Sequence, residues 1–164
     1  VTPMQMVRAY AGLATGILPN IRAVHSIDGR ELVSEGRRLP IDEHNLRIVH
    51  GAMDAVANHP DDKLWRKALA EEKLGARFIC KTGSADYDDD GIVPKYDDAE
   101  NFLGYEKGVR KHTWVVGWLP AENPKLVVAA FVHDTSTTST HSSAYLMSQF
   151  LTRPEIQAYL EEVK

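Results

Sequence analysis

Three apolar segments rich in β-branched and aromatic residues, at 76–85, 112–119 and 126–133, constrain this chain more than any other feature. Such residues fit a pleated, half-buried surface and predict strands. The second and third are joined only by Pro120-Ala121-Glu122-Asn123-Pro124, a short turn-rich connection that suits an antiparallel pair. Between the first and second lies a polar, acidic stretch, 87–110, too long for a tight hairpin and therefore expected as a surface loop.

Helical periodicity surrounds these strands. Thr2 as N-cap, Pro3 at the first helical position and apolar residues at Met4, Met6, Val7, Tyr10, Ala11 and Leu13 predict a helix over 3–15, stopped by Gly16 and Pro19. Leu46, Val49, Met53 and Val56 predict another over 41–58, with Asp42 and Glu43 at the positive end of its dipole. Asp61-Asp62 reads as the cap of a third, over 63–73, with Leu64, Trp65, Ala68 and Leu69 on one side. Residues 142–164 read as a terminal helix broken or restarted at Pro154. Asp28-Gly29 marks a turn that would let 22–25 pair with 31–34.

Composition narrows the function. With 43% hydrophobic and 26% charged residues among 164, the chain suits one compact domain, without repeats or a linker. Lys and Arg number 19 against 23 Asp and Glu, a net charge of −4, and no basic run exceeds two residues. A nucleic-acid partner is thereby disfavoured. The apolar run at 126–132 falls far short of the ~18 residues of a membrane span. Cys80 stands alone, so cysteine usage leaves the redox compartment open. The chain opens at Val1 inside a helix entry, without a signal-peptide pattern, and reads as a piece of something longer.

Lys81-Thr82-Gly83-Ser84 follows the apolar Phe78-Ile79-Cys80. As a bare tripeptide, Lys-Thr-Gly is weak evidence. Around it, Val1-Thr2-Pro3-Met4-Gln5-Met6 with Ala9-Tyr10-Ala11 comes before, and Trp114-Val115-Val116-Gly117-Trp118-Leu119-Pro120-Ala121 with Asn123-Pro124 comes after. In that order and approximate spacing these stretches resemble the transpeptidase domain of penicillin-binding proteins, which carries a Thr-Pro-x-Gln helix and a third signature Lys-Thr-Gly. Residues 63–73 and 87–110 match the pattern poorly. The family's Ser-x-x-Lys and Ser-x-Asn are absent: no serine here has Lys three residues on or Asn two residues on.

The resemblance implies an α/β (α+β) fold, an antiparallel sheet flanked by helices, with residues 1–164 as the C-terminal part of a single transpeptidase-like domain lacking its nucleophile. It implies a role in peptidoglycan cross-linking at the bacterial periplasm or extracytoplasmic face, with no cofactor. Its partners would be a peptidoglycan stem peptide or β-lactam and the missing N-terminal half of the domain. On this resemblance, Lys81 would supply charge beside the nucleophile, the Ser84 N–H would be one of two oxyanion-hole donors, and the Thr82 and Ser84 hydroxyls would bind the substrate carboxylate. Gly83 would leave room for the substrate backbone. The alternatives are a non-catalytic scaffold that kept the fold, or a β-lactamase or β-lactam sensor.

Three other features carry chemistry. Asp86, Asp88, Asp90, Gly91, Val93 and Asp97 imitate the spacing of a calcium loop, with Asp replacing the terminal Glu; a solvated acidic loop is the simpler expectation. The histidines show no zinc-hydrolase spacing, and His133 and His141, which flank a polar run, are weak candidates for substrate contact. On alternating strands, Trp114 and Trp118 share a face expected in the core, and Cys80 points away from Lys81 as a packed thiol.

Overall fold

The computed structural model describes residues 1–33, 35–60, 66–67, 69–88, 90–97, 99, 101–135 and 142–162. Helix α1, Pro3–Thr15, begins in a reciprocal cap. Thr2 Oγ1 accepts from the Gln5 N–H, while the Gln5 side chain accepts from the Thr2 N–H at 2.8 Å. It ends at Gly16, whose φ of 73° suits glycine's freedom in the left-handed region. Helix α2, Glu43–Asn58, starts at Asp42, whose carboxylate accepts from the His44 N–H. Between them β1, Ile17–Leu18, pairs with β4, Arg37–Arg38, and β2, Ser26–Ile27, pairs with β3, Arg30–Glu31. The Asp28-Gly29 turn falls where expected, but the paired strands sit closer to it than 22–25 and 31–34.

The helix expected over 63–73 does not form as one piece. Arg66 and Lys67 are helical, a turn follows at Leu69, and Ala70 caps a separate short helix α3, Glu71–Leu74. Burial explains the break, because Leu69 and Leu74 are both fully enclosed and a straight helix need not aim both at the same core. The cap at Asp61-Asp62 lies outside the described residues.

Strands β5 (Ile79–Asp88), β8 (Arg110–Leu119) and β9 (Leu126–Thr135) form one antiparallel sheet in the order β5-β8-β9. Pairing runs from Ile79↔Trp118 to Ser84↔Thr113, and from Leu119↔Leu126 to Thr113↔Val132. β5 starts three residues later than the apolar run suggests. The reason is polar: the Phe78 carbonyl accepts from Asn58 Nδ2 at 3.0 Å, and Arg77 is held bidentate by Asp54 at 2.8 and 2.6 Å, so this stretch is tied to α2.

The expectation of a loop over 87–110 is corrected. Those residues hold a second hairpin, β6 (Ile92–Tyr96) with β7 (Phe102–Lys107), which forms its own two-stranded sheet. Val93 buries itself there, with the Gly108 N–H donating to the Gly91 carbonyl at 2.9 Å. Overall polarity hid two short alternating segments. The terminal helix divides at Pro154 into α4, Ser143–Leu151, and α5, Pro154–Glu162.

The two faces of the three-stranded sheet follow from alternation. One carries Phe78, Cys80, Val115, Leu119 and Val128 and packs against Ala57, Leu74, Met147, Leu151 and Leu160 from α2 to α5. The other carries Ile79, Trp118 and Val127, covered by Tyr10 and Leu13 of α1 and Met53 of α2. Gly117 makes the first packing possible: a Cβ there would collide with the Ile79 carbonyl and come within 2.8 Å of the Phe78 ring. No helix among the described residues is long and apolar enough to cross a membrane.

Candidate active site

Lys81, Thr82, Gly83 and Ser84 lie consecutively in β5, which is an edge strand of its sheet among the described residues. An edge leaves alternate backbone N–H and C=O groups available to an added strand. Alternation sends the Thr82 and Ser84 side chains to one face of the sheet and Lys81 to the other. The structure therefore brings the two hydroxyls to one side and the ammonium to the opposite side of a single strand. Lys81 is exposed, and its Nζ donates to the Thr82 carbonyl.

Beside Lys81 the second face of the sheet is open. A hollow of about 490 Å³ is lined by Lys81, Thr82, Gly83, His112, Trp114 and Phe131, together with Tyr10 and Met6 of α1. Burial raises the Tyr10 hydroxyl above the usual phenol range, so it stays protonated at neutral pH. Gly83 is informative by contrast with Gly117. A Cβ at 83 would meet only Trp114 Cβ at 3.8 Å, an ordinary contact, so nothing inside the protein demands glycine there.

The tryptophan expectation divides. Trp118 is in the core, in a T-shaped contact with the His50 ring at 5.0 Å between centroids, whereas Trp114 faces the hollow. Its ring lies 4.5 Å from Phe131. His112 and His133 stand 4.5 Å apart, with Tyr87 stacked on His112 at 4.3 Å, so His133 belongs to a ring cluster of which His112 lines the hollow. His141 lies outside the described residues. His112, Trp114 and Phe131 were not singled out as site residues from sequence. The signal was present in the register, since 112 and 114 fall opposite 85 and 83 once the strands are paired.

Cys80 is fully buried on the opposite face, and desolvation pushes its thiol up to about 12. It is a packed thiol. The calcium-like spacing does not curl into a loop. Asp86 and Asp88 lie in β5, Asp86 is 3.4 Å from Lys111, and Asp97 sits beyond β6 accepting from the Ala99 and Asn101 N–H groups. Among the described residues no group of three or more His, Cys, Asp or Glu side chains is placed to hold a metal.

Comparison with known proteins bears on the fold and the family. No curated protein matches the sequence. Among solved structures, penicillin-binding protein A from M. tuberculosis, an imipenem acyl-enzyme complex, is 17% identical with a TM-score of 0.62, covering 92% of this chain and 31% of that one. Penicillin-binding protein 2B from Streptococcus pneumoniae is 21% identical with a TM-score of 0.63, covering 92% and 24%. Penicillin-binding protein 2 from Pseudomonas aeruginosa is also 21% identical, at 0.61, covering 92% and 30%. The chain spans under a third of the length of each of these, and the likeness is one of fold. The family model of the penicillin-binding protein transpeptidase domain matches residues 1–152, from the capped α1 through the edge strand β5 to the end of α4, and the chain belongs to that family.

Proposed function

We propose that this chain supplies the substrate-binding strand of an acyl-serine D,D-transpeptidase that cross-links peptidoglycan outside the cytoplasmic membrane. One observation carries the reading: Lys-Thr-Gly-Ser lies on an edge strand beside an open hollow, with a glycine that internal packing does not require. A stem peptide or β-lactam would lie along β5 as an added strand. Thr82 and Ser84, on one face, would take its carboxylate, and the Ser84 N–H would face the developing oxyanion. Lys81 would place positive charge beside a nucleophilic serine contributed by the N-terminal part of the domain. That serine's oxygen would bond to the substrate carbonyl carbon as the carbonyl C–N bond breaks and the hydroxyl proton passes to the nitrogen. With a stem peptide D-alanine departs and an acceptor amine then takes the acyl group from the serine, whereas with a β-lactam the opened ring stays attached to the acyl-serine.

A fluorescent penicillin, read by denaturing electrophoresis, tests this. The chain alone is expected to remain unlabelled, because donors and charge without a nucleophile form no covalent bond. Co-expression with an N-terminal part carrying Ser-x-x-Lys should restore a band on that part. A covalent band on the isolated chain overturns the assignment of roles, and a reconstituted domain that never labels favours a non-catalytic scaffold.

A further inference from the structure

Thr113 is the one hydroxyl residue of β8, set between His112 and the apolar Trp114-Val115-Val116. Three elements meet on it. On β5 it lies opposite Ser84, and on β9 opposite Val132. From α4, the Ser143 N–H donates to Thr113 Oγ1 at 3.0 Å. That amide belongs to the first residue of α4, where the helix offers its own N–H no acceptor. Ser143 is 2% exposed, so the threonine oxygen satisfies a donor shielded from water. Regular pairing with β9 ends beside Thr113: three steps along β9 from Val132 to Thr135 match two along β8 from Thr113 to Lys111. An extra residue of this kind re-aims side chains next to active sites.

Accepting from Ser143 leaves the Thr113 proton to be given, since a hydroxyl is a donor as well as an acceptor. Directly opposed residues of an antiparallel pair point to one face with Cβ atoms about 4.5–5.5 Å apart, within reach of a bond between two hydroxyls. Ser84 is exposed, and its hydroxyl has no partner among the described residues. We propose that Thr113 is a positioning residue for substrate capture that acts through Ser84, which rests on the transpeptidase reading in which the Ser84 hydroxyl takes the substrate carboxylate. When Ser84 turns its proton to that carboxylate, its oxygen accepts from Thr113. The Ser143 N–H, the Thr113 hydroxyl and the Ser84 hydroxyl then all point their protons toward the negative charge, and each bond polarises the next.

Stopped-flow acylation of the complete domain over a range of penicillin concentrations separates capture from the chemical step. Thr113→Val, close in shape but without the hydroxyl, should weaken capture about fivefold and leave the saturating rate within about twofold. Thr113→Ser should restore parent capture. In a Ser84→Ala background, Thr113→Val should change capture by less than about twofold, because the group it acts through is gone. A threonine that only holds α4 in place would lower capture equally in both backgrounds. That result, parent capture in Thr113→Val, or a lowered saturating rate with capture unchanged overturns the proposal. Where Thr113→Val fails to fold, Thr113→Ala, which leaves room for a water to accept from the Ser143 N–H, is held to the same expectations. A parent domain that penicillin never labels overturns the transpeptidase reading and this proposal with it, and it is recognised before any substitution is made.

Discussion

The two faces of the β5-β8-β9 sheet are built from the same strands yet end differently. On one, Phe78, Cys80, Val115 and Leu119 are fully buried beneath helices α2 to α5. On the other, helix cover stops at Ile79 and Trp118, and from Lys81 to Gly83 the surface opens into the aromatic-walled hollow. The difference teaches where this chain is committed to itself and where it is open to something else. Gly117 and Gly83 mark the two conditions: the first is enclosed by its own protein, and the second faces space.

Substitutions at both kinds of position can break that contrast. Gly117→Ala should have the largest effect, about 3 kcal/mol or more of lost stability, because the new methyl meets the backbone of β5 and cannot be relieved by a rotamer change. Urea denaturation of the chain measures it, and a loss below 1 kcal/mol would show that β5 and β8 can separate without penalty. On the open face, Lys81→Ala in the complete domain should slow penicillin acylation by about 10²-fold or more with unchanged melting temperature. Parent-rate acylation in stopped flow would remove Lys81 from the site. Ser84→Ala retains the backbone N–H and loses a hydroxyl on the substrate carboxylate, about 1.5–3 kcal/mol, seen mainly as weaker capture rather than slower chemistry.

Two smaller effects sharpen the boundary between the faces. Asp54 is held below the usual carboxylate range, first by its hydrogen bond to Arg77, so its contribution is present above an unfolded pKa of ~3.9 and is lost as pH falls through the lower folded value. The pair is partly exposed, 40% at Arg77 and 27% at Asp54, which limits its worth to about 1 kcal/mol. Asp54→Asn should lower stability by that amount at pH 7 and flatten the acid limb below pH ~4, measured by denaturation at several pH values. Gly83→Ala should leave stability within about 0.5 kcal/mol while reducing acylation in the complete domain. A marked loss of stability instead would place Gly83 among the packed positions.

Much of this was legible in order along the chain. Thr2, Pro3 and Gly16 delimited α1, because caps and stops act within a few residues of themselves. Pro154 divided the terminal helix for the same reason, and the short Pro120–Pro124 connection set the antiparallel pairing of β8 with β9. The β6–β7 hairpin was not legible, since acidic residues around Ile92, Val93 and Tyr105 masked a short alternation whose apolar face is also exposed. The break at Leu69 was not legible either, because local periodicity does not report where the core lies.

At the candidate site the division is sharper still. The sequence alone placed Lys81, Thr82, Gly83 and Ser84 on a strand and, through alternation, put Cys80 and Lys81 on opposite faces, since a period of two is a local property of extended backbone. Tertiary structure decided that β5 lies at an edge, that His112, Trp114 and Phe131 wall the hollow, and that Trp118 is core while Trp114 is not. Both tryptophans share a strand face, and only the distance that α1 and α2 extend along that face separates them. Which strand is an edge and how far a helix covers a sheet depend on contacts between residues remote in sequence, and no local pattern contains them.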